Sequence, residues 1–205
     1  MNDPTLSPPE KQHEVRFAEK YYEGISFDKS EYSGRHIEDV EFFQCVFNGT
    51  LMAKAVLSSC VFEKCSFINC DLSLMKMINS TFLEIKFENC KLIGIDWTKI
   101  SRPYKMNFHK CKLNDSIFYN MDLRSIEITN CEVHNSDFER TNLSKAYLNS
   151  SDFLNCTFSG TNLSFADFTD ARNYSIDPVK NNIKRAKFSL PEALNLLDQW
   201  DVEIT

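Results

Sequence analysis

Residues 57–72 read Leu57-Ser58-Ser59-Cys60-Val61-Phe62-Glu63-Lys64-Cys65-Ser66-Phe67-Ile68-Asn69-Cys70-Asp71-Leu72. A large apolar residue returns every five positions, and a cysteine stands two places before each of the last three. The pattern extends both ways. Steps of five from Phe27 meet Tyr32, Ile37, Phe42, Phe47, Met52 and Leu57, then Phe62 through Trp97, and every one is large and apolar or aromatic. After Trp97 the phase slips by one residue. It resumes at Phe108 and runs through Phe118, Phe138 and Phe158 to Phe168. The position two earlier is mostly small or apolar throughout.

A period of five fits neither the 3.6-residue turn of a helix nor the two-residue alternation of a strand. It calls for a corner every five residues, and therefore a solenoid whose large and small positions both point inward. At spacing 20 the large positions form columns: Phe27, Phe47, Phe67 and Phe87; Phe42, Phe62 and Phe82; Phe118, Phe138 and Phe158. Coils of 20 residues at the strand spacing of about 4.8 Å give about seven coils, a rod roughly 34 Å tall. Segments such as Thr161-Asn162-Leu163-Ser164-Phe165 and Ala166-Asp167-Phe168-Thr169-Asp170 approach an A(D/N)LXX consensus. Over residues 25 to 170 the chain resembles the pentapeptide-repeat family. That resemblance implies an all-β fold, a right-handed quadrilateral parallel β-helix.

The 205-residue chain is 42% hydrophobic and 25% charged, and it holds 17 Phe but only 5 Gly, so rings fill the interior and the corners are not glycine corners. Residues 1–12 are polar and proline-rich and read as a disordered segment. They contain no apolar signal region, and no stretch is apolar enough to span a membrane, so the chain reads as cytoplasmic. From 13 the repeat runs to 171. Val15, Phe17, Lys20 and Tyr22 fit either an imperfect first coil or a short helix over 10–21. Residues 172–205 form the cap, with Ser175-Ile176-Asp177-Pro178 as a turn and a short C-terminal α-helix opened by Ser189 and Pro191. Ala193, Leu194, Leu197 and Trp200 make its apolar stripe, to plug the last coil or to pair with a second copy. The break at 98–107 is either a surface bulge or a contact loop carrying Lys99, Arg102, Tyr104 and Lys105.

All eight cysteines occupy the small inward position. They read as thiols used for packing, without the paired CxxC spacing of a zinc site. His13, His36, His109 and His134 share no plausible triad, no glycine-rich phosphate loop is present, and a filled rod has no concave catalytic pocket. No cofactor or metal is expected. The net charge of −6 argues against a phosphate-binding surface. Between Phe108 and Asp170, acidic residues outnumber basic ones. Asp115, Asp122, Glu127, Glu132, Asp137, Glu139, Asp152 and Asp167 are the candidate acidic face for a partner.

The tail, with Phe188-Ser189-Leu190-Pro191-Glu192-Ala193 and Leu196-Leu197, resembles the quinolone-resistance and microcin-immunity members of the family. What this implies is a non-enzymatic DNA mimic that binds DNA gyrase or topoisomerase IV, dimerises through its C-terminal helix and protects against quinolones or gyrase-poisoning peptides. The long projecting loops frequent in such members are missing. The other reading is a scaffold with an unrelated protein partner. A continuous acidic stripe favours the first, an exposed apolar patch the second.

Overall fold

In the computed structural model, which describes residues 17–102, 104–200 and 202, the chain is a right-handed, four-sided parallel β-helix. The first side stacks Tyr21–Glu23, Glu41–Phe43, Val61–Glu63 and Thr81–Leu83. The second stacks Ser26–Asp28, Val46–Asn48, Ser66–Ile68, Ile85–Glu88, Met106–His109 and Glu127–Thr129, and resumes with Asp167–Phe168 and Lys187–Phe188. The third is a ladder of single bridges from Glu31 through Leu51, Asp71, Lys91, Lys112, Glu132 and Asp152 to Arg172. The fourth begins with His36–Glu38, Val56–Ser58 and Lys76–Ile78 and continues through Asp96, Ile117, Asp137 and Thr157. The second side passes from Phe27 to Phe188 in about eight turns, one more than the repeat count gives. The pairing simply continues into residues that have lost the consensus.

The corners explain the period. From Gly24 to Gly94 and again from Lys110 to Asp170, every fifth residue adopts a left-handed conformation, with φ between 48° and 70°. Three extended residues, this corner and the small inward residue after it make one side of five. Asn, Asp, Lys, Ser and Gly hold most corners, consistent with the steric cost of φ > 0 for bulky residues. Many corners close as type II turns, for example Ala55 N–H to Met52 C=O (3.0 Å) and Ala146 N–H to Leu143 C=O (3.0 Å).

Inside, the aromatic columns predicted from the spacing are continuous. The rings of Phe27, Phe47, Phe67, Phe87 and Phe108 stack at 4.7–5.1 Å, which is the rung spacing itself. Phe17 closes the lower end, 5.3–6.1 Å from Tyr22, Phe27, Tyr32 and Phe42. Residues 17–20 are not helical; the remainder of the alternative first helix, and His13, lie outside the described residues.

The small inward residues do more than fill space. The carbonyl of the large residue has a lone pair free for one more bond: it accepts one ladder bond where the strand pairing is continuous, as at Phe27, Phe42 and Phe47, and none where the stack thins to single bridges, as at Leu113 and Ile128. A side chain from the next turn supplies the bond: Cys65 Sγ to Phe42 O (3.3 Å), Cys70 to Phe47 O (3.2 Å), Thr50 to Phe27 O (2.8 Å), Ser136 to Leu113 O (2.8 Å) and Ser151 to Ile128 O (2.9 Å). Cysteine, serine and threonine share this place because each carries one donor on a short stem.

The break is a one-residue slip. Thr81 pairs with Ser101, 20 residues on, but Ile85 pairs with Met106, 21 on, so the extra residue enters between Ser101 and Met106. One side earlier stands buried Trp97, whose indole lies flat over Phe118 at 6.0 Å.

At the upper end Phe188 stacks on Phe168 at 5.2 Å and Leu196 packs on the core. The helix, Glu192–Trp200, lies where predicted but has 3₁₀ bonding rather than α, as in Leu194 N–H to Pro191 C=O (3.0 Å). So short a segment, anchored at its start by a proline, keeps the tighter pitch typical of helix ends. Ser189 does not cap it through its hydroxyl, which instead accepts from Asp170 N–H at 3.0 Å.

If the thiols are donors and not only filler, Cys70→Ala should destabilise the rod by about 1 kcal/mol, because the Phe47 carbonyl keeps its ladder bond but loses its second, buried one. Cys70→Ser, which keeps a donor, should cost less. Equal costs in denaturant unfolding would contradict the assignment.

Candidate interaction surfaces

A solid rod offers only its outer surface, and each side is built from two outward columns and one corner column. The eight candidate carboxylates do not share a side. Asp122 is on the first; Glu127 and Asp167 on the second; Glu132 and Asp152 on the third, with Asp115 at the corner leaving it; Asp137 and Glu139 on the fourth. The single acidic face expected from the sequence is thus distributed around the rod. The reason is the period: an acidic residue one repeat further along turns the corner.

Most of these carboxylates also have partners one turn away. Lys112 Nζ meets Glu132 at 3.1 Å, and Lys187 Nζ meets Asp167 at 3.2 Å. Arg124 grips Asp122 with two bonds of 2.9 Å. Asp152 is the most enclosed of them. It accepts from Arg172 Nε (3.0 Å) and Asn173 Nδ2 (2.8 Å), and His134 Nε2 lies 3.3 Å away. Burial pushes its carboxyl upward, but the bonds from Asn173, Arg172 and His134 outweigh burial and hold it below the usual carboxylate range.

Of the residues at the break, Lys99 is tied to Asp96 at 3.6 Å on the fourth side. Arg102, Tyr104 and Lys105 emerge on the first. Tyr104 is structural as well as accessible: its hydroxyl accepts Asp122 N–H at 3.0 Å, standing in for a ladder carbonyl where the extra residue has displaced the backbone. Arg102 lies over its ring at 5.8 Å. At the helix, Leu194, Leu197 and Trp200 remain exposed and Ala193 is half-buried; Leu196 is the residue turned onto the core.

An apolar groove escaped sequence reading. It lies across the fourth side from its corner with the third, with a volume of about 890 Å³, bounded by Leu74, Ile78, Val56 and Lys76. Leu74 is a corner residue with φ 59° and leans over Gly94, where an added Cβ would sit 2.6 Å from its Cδ2. Leu74 and Phe165 are the only apolar side chains among the left-handed corners described. Each accepts a conformational cost while exposing a hydrophobic group.

The thiols and imidazoles are otherwise engaged. Burial pushes Cys60 up to about 11 and Cys65 and Cys156 up to about 12, so these thiols are poor nucleophiles at neutral pH. His36 bonds Ser58 Oγ at 2.8 Å, and His109, outward as expected, bonds Thr129 Oγ1 at 2.9 Å. Among the described residues no group of three His, Cys, Asp or Glu could hold a metal ion, and no helix is long and apolar enough to cross a membrane.

Family models for the pentapeptide repeat region and for pentapeptide repeats match residues 36–102 and 107–172, leaving out the seam. The chain belongs to the pentapeptide-repeat family. No relative is found among curated protein sequences. Among solved structures the rod is similar to full-length QnrB1, a plasmid-mediated fluoroquinolone resistance protein, at 17% identity and a TM-score of 0.53, covering 89% of this chain and 100% of that one. A trypsin-treated form of QnrB1 matches at 18% identity and the same TM-score, covering 90% of this chain and 98% of that one. HetL, a pentapeptide-repeat protein involved in heterocyst differentiation regulation from the cyanobacterium Nostoc, is a more distant match at 13% identity and a TM-score of 0.23, covering 82% of this chain and 86% of that one.

Asp152 should contribute stability that is present above the unfolded-state carboxyl pKa of about 3.9 and is lost as pH falls through the lower folded value. Asp152→Asn should therefore cost about 2 kcal/mol at pH 7 and progressively less as pH falls through the lower folded value. A pH-independent cost would show that geometry, not charge, is at work.

Proposed function

We propose that this chain is a non-enzymatic binding rod of the cytoplasm that engages a type II topoisomerase, DNA gyrase or topoisomerase IV, and protects it from quinolones or gyrase-poisoning peptides. The observation that carries this reading is the likeness of shape to QnrB1 along that protein's whole length. A core packed solid with rings leaves the outer surface as the working part. The width of the rod and its overall negative charge suit a protein that grips a DNA duplex. With the carboxylates distributed over four sides, such mimicry draws on the whole rod and not on one stripe. The exposed Leu194, Leu197 and Trp200 are the surface for a two-fold dimer that would double the rod's length.

A second reading, a scaffold for an unrelated protein, is favoured by the groove at Leu74 and Ile78. Unspecialised mimicry gives no reason for a strained, exposed leucine there.

A gyrase supercoiling assay with and without ciprofloxacin, over a salt series, separates the two. The topoisomerase reading predicts that micromolar protein restores supercoiling in the presence of drug and that the effect weakens with salt. Inhibition without rescue would retain binding and remove protection. No effect at any salt would leave the scaffold reading.

A further inference from the structure

The charges of the first side are sorted along the rod as on no other side. Its lower half carries Glu23, Glu41, Glu63 and Glu84, with Lys64 paired to Glu63 at 3.5 Å. From the seam upward it carries Arg102, Lys105, Arg124, Lys145, Lys184 and Arg185, all exposed, against one carboxylate, Asp122. The columns show why these cations stay uncompensated. On the third side the cations of the bridged column meet a carboxylate one turn away, as in Lys91–Asp71, Lys112–Glu132 and Arg172–Asp152. Here the corner column reads Lys105, Ser125, Lys145, Phe165, Arg185, and the column before it reads Arg124, Ser144, Ser164, Lys184. Neither contains an acid. The inner column above Asp122 is an amide ladder, Asn162 to Asn142 at 3.2 Å and Asn182 to Asn162 at 3.1 Å. Of these cations only Lys105, 3.9 Å from Glu84 at the foot of the ridge, and Arg124, held by Asp122, have acidic partners among the described residues. Phe165, in its unfavourable corner conformation, lies exposed beneath Arg185, whose guanidinium is 5.6 Å from the ring centre.

We infer that this upper first side is a docking ridge for a short, extended, acidic segment of a partner protein, with Lys105, Lys145 and Arg185 meeting its carboxylates and Phe165 its one apolar contact. Lys105 to Arg185 spans four rungs, roughly 19 Å at strand spacing, a length an extended segment covers in about six residues. A longer polyanion such as nucleic acid would run onto the four glutamates below. A second copy laid antiparallel would match the charges, but one side is only about 10 Å wide and 38 Å tall. That is roughly 400 Å² per partner, half of what a stable interface buries. The inference is independent of the topoisomerase reading and uses a different side from the Leu74 groove.

The test is fluorescence anisotropy with labelled hexaglutamate at low ionic strength. The full chain should bind it, lose it as salt rises, and ignore hexaglutamine. Lys145→Asn/Arg185→Asn should weaken binding at least tenfold, since asparagine is tolerated at left-handed corners. Lys54→Asn/Lys110→Asn, which removes the same charge from two other corners, should change it less than twofold. Circular dichroism of all variants confirms the fold. No binding of hexaglutamate, an equal loss in the Lys54/Lys110 variant, tighter binding of hexathymidylate than of hexaglutamate, or salt-sensitive self-association in place of peptide binding would each overturn the inference.

Discussion

Everything in this molecule depends on turning the chain through a corner every fifth residue without stranding a backbone group. The left-handed corner makes the turn, and the carbonyl of the large inward residue beside it points along the rod, inside the ladder where strands pair continuously and outside it where the stack thins to single bridges. A ladder amide, a type II turn, or a thiol or hydroxyl from the next coil answers that carbonyl. The choice of Cys, Ser and Thr at one inward position and of Phe or Leu at the other follows from this single requirement. Exchanging one small donor for another leaves the frame intact, which is why cysteine and serine interchange along one column, as at Cys131 and Ser151.

The same requirement pushes function outward. The interior is occupied by stacked rings, so specificity rests on what each of four sides carries at three outward positions per turn. Stacking at strand spacing then acts on charge. Opposite charges a turn apart neutralise each other on the third side, whereas a column without acids accumulates charge, as the upper first side does. The one-residue slip is the point where the first side changes sign, and Tyr104 holds it closed by lending its hydroxyl to Asp122 N–H.

Much of this was legible in the sequence. The period, the columns and the slip after Trp97 follow from counting, and the register confirms them. The acidic candidates were found but not their arrangement: Asp122, Glu127, Glu132 and Asp137 are neighbours in the repeat yet face four directions. The groove at Leu74 escaped because the corner position looks polar wherever it is read as an average. At the C-terminus Leu194, Leu197 and Trp200 formed the obvious stripe, but the core takes Leu196, because the direction of a short helix is set by where Phe188 leaves the last coil. The thiols looked like filler because a donor's partner, 23 residues away, is invisible without the coil.

Backbone amide exchange of the intact chain, resolved by peptide, tests the central claim that two regularly paired stacks meet at one slipped seam. Slow exchange over 36–96 and 107–172 with faster exchange confined between them at 98–105 is the predicted result. A seam as protected as its neighbours, or uniform fast exchange along the rod, would contradict it.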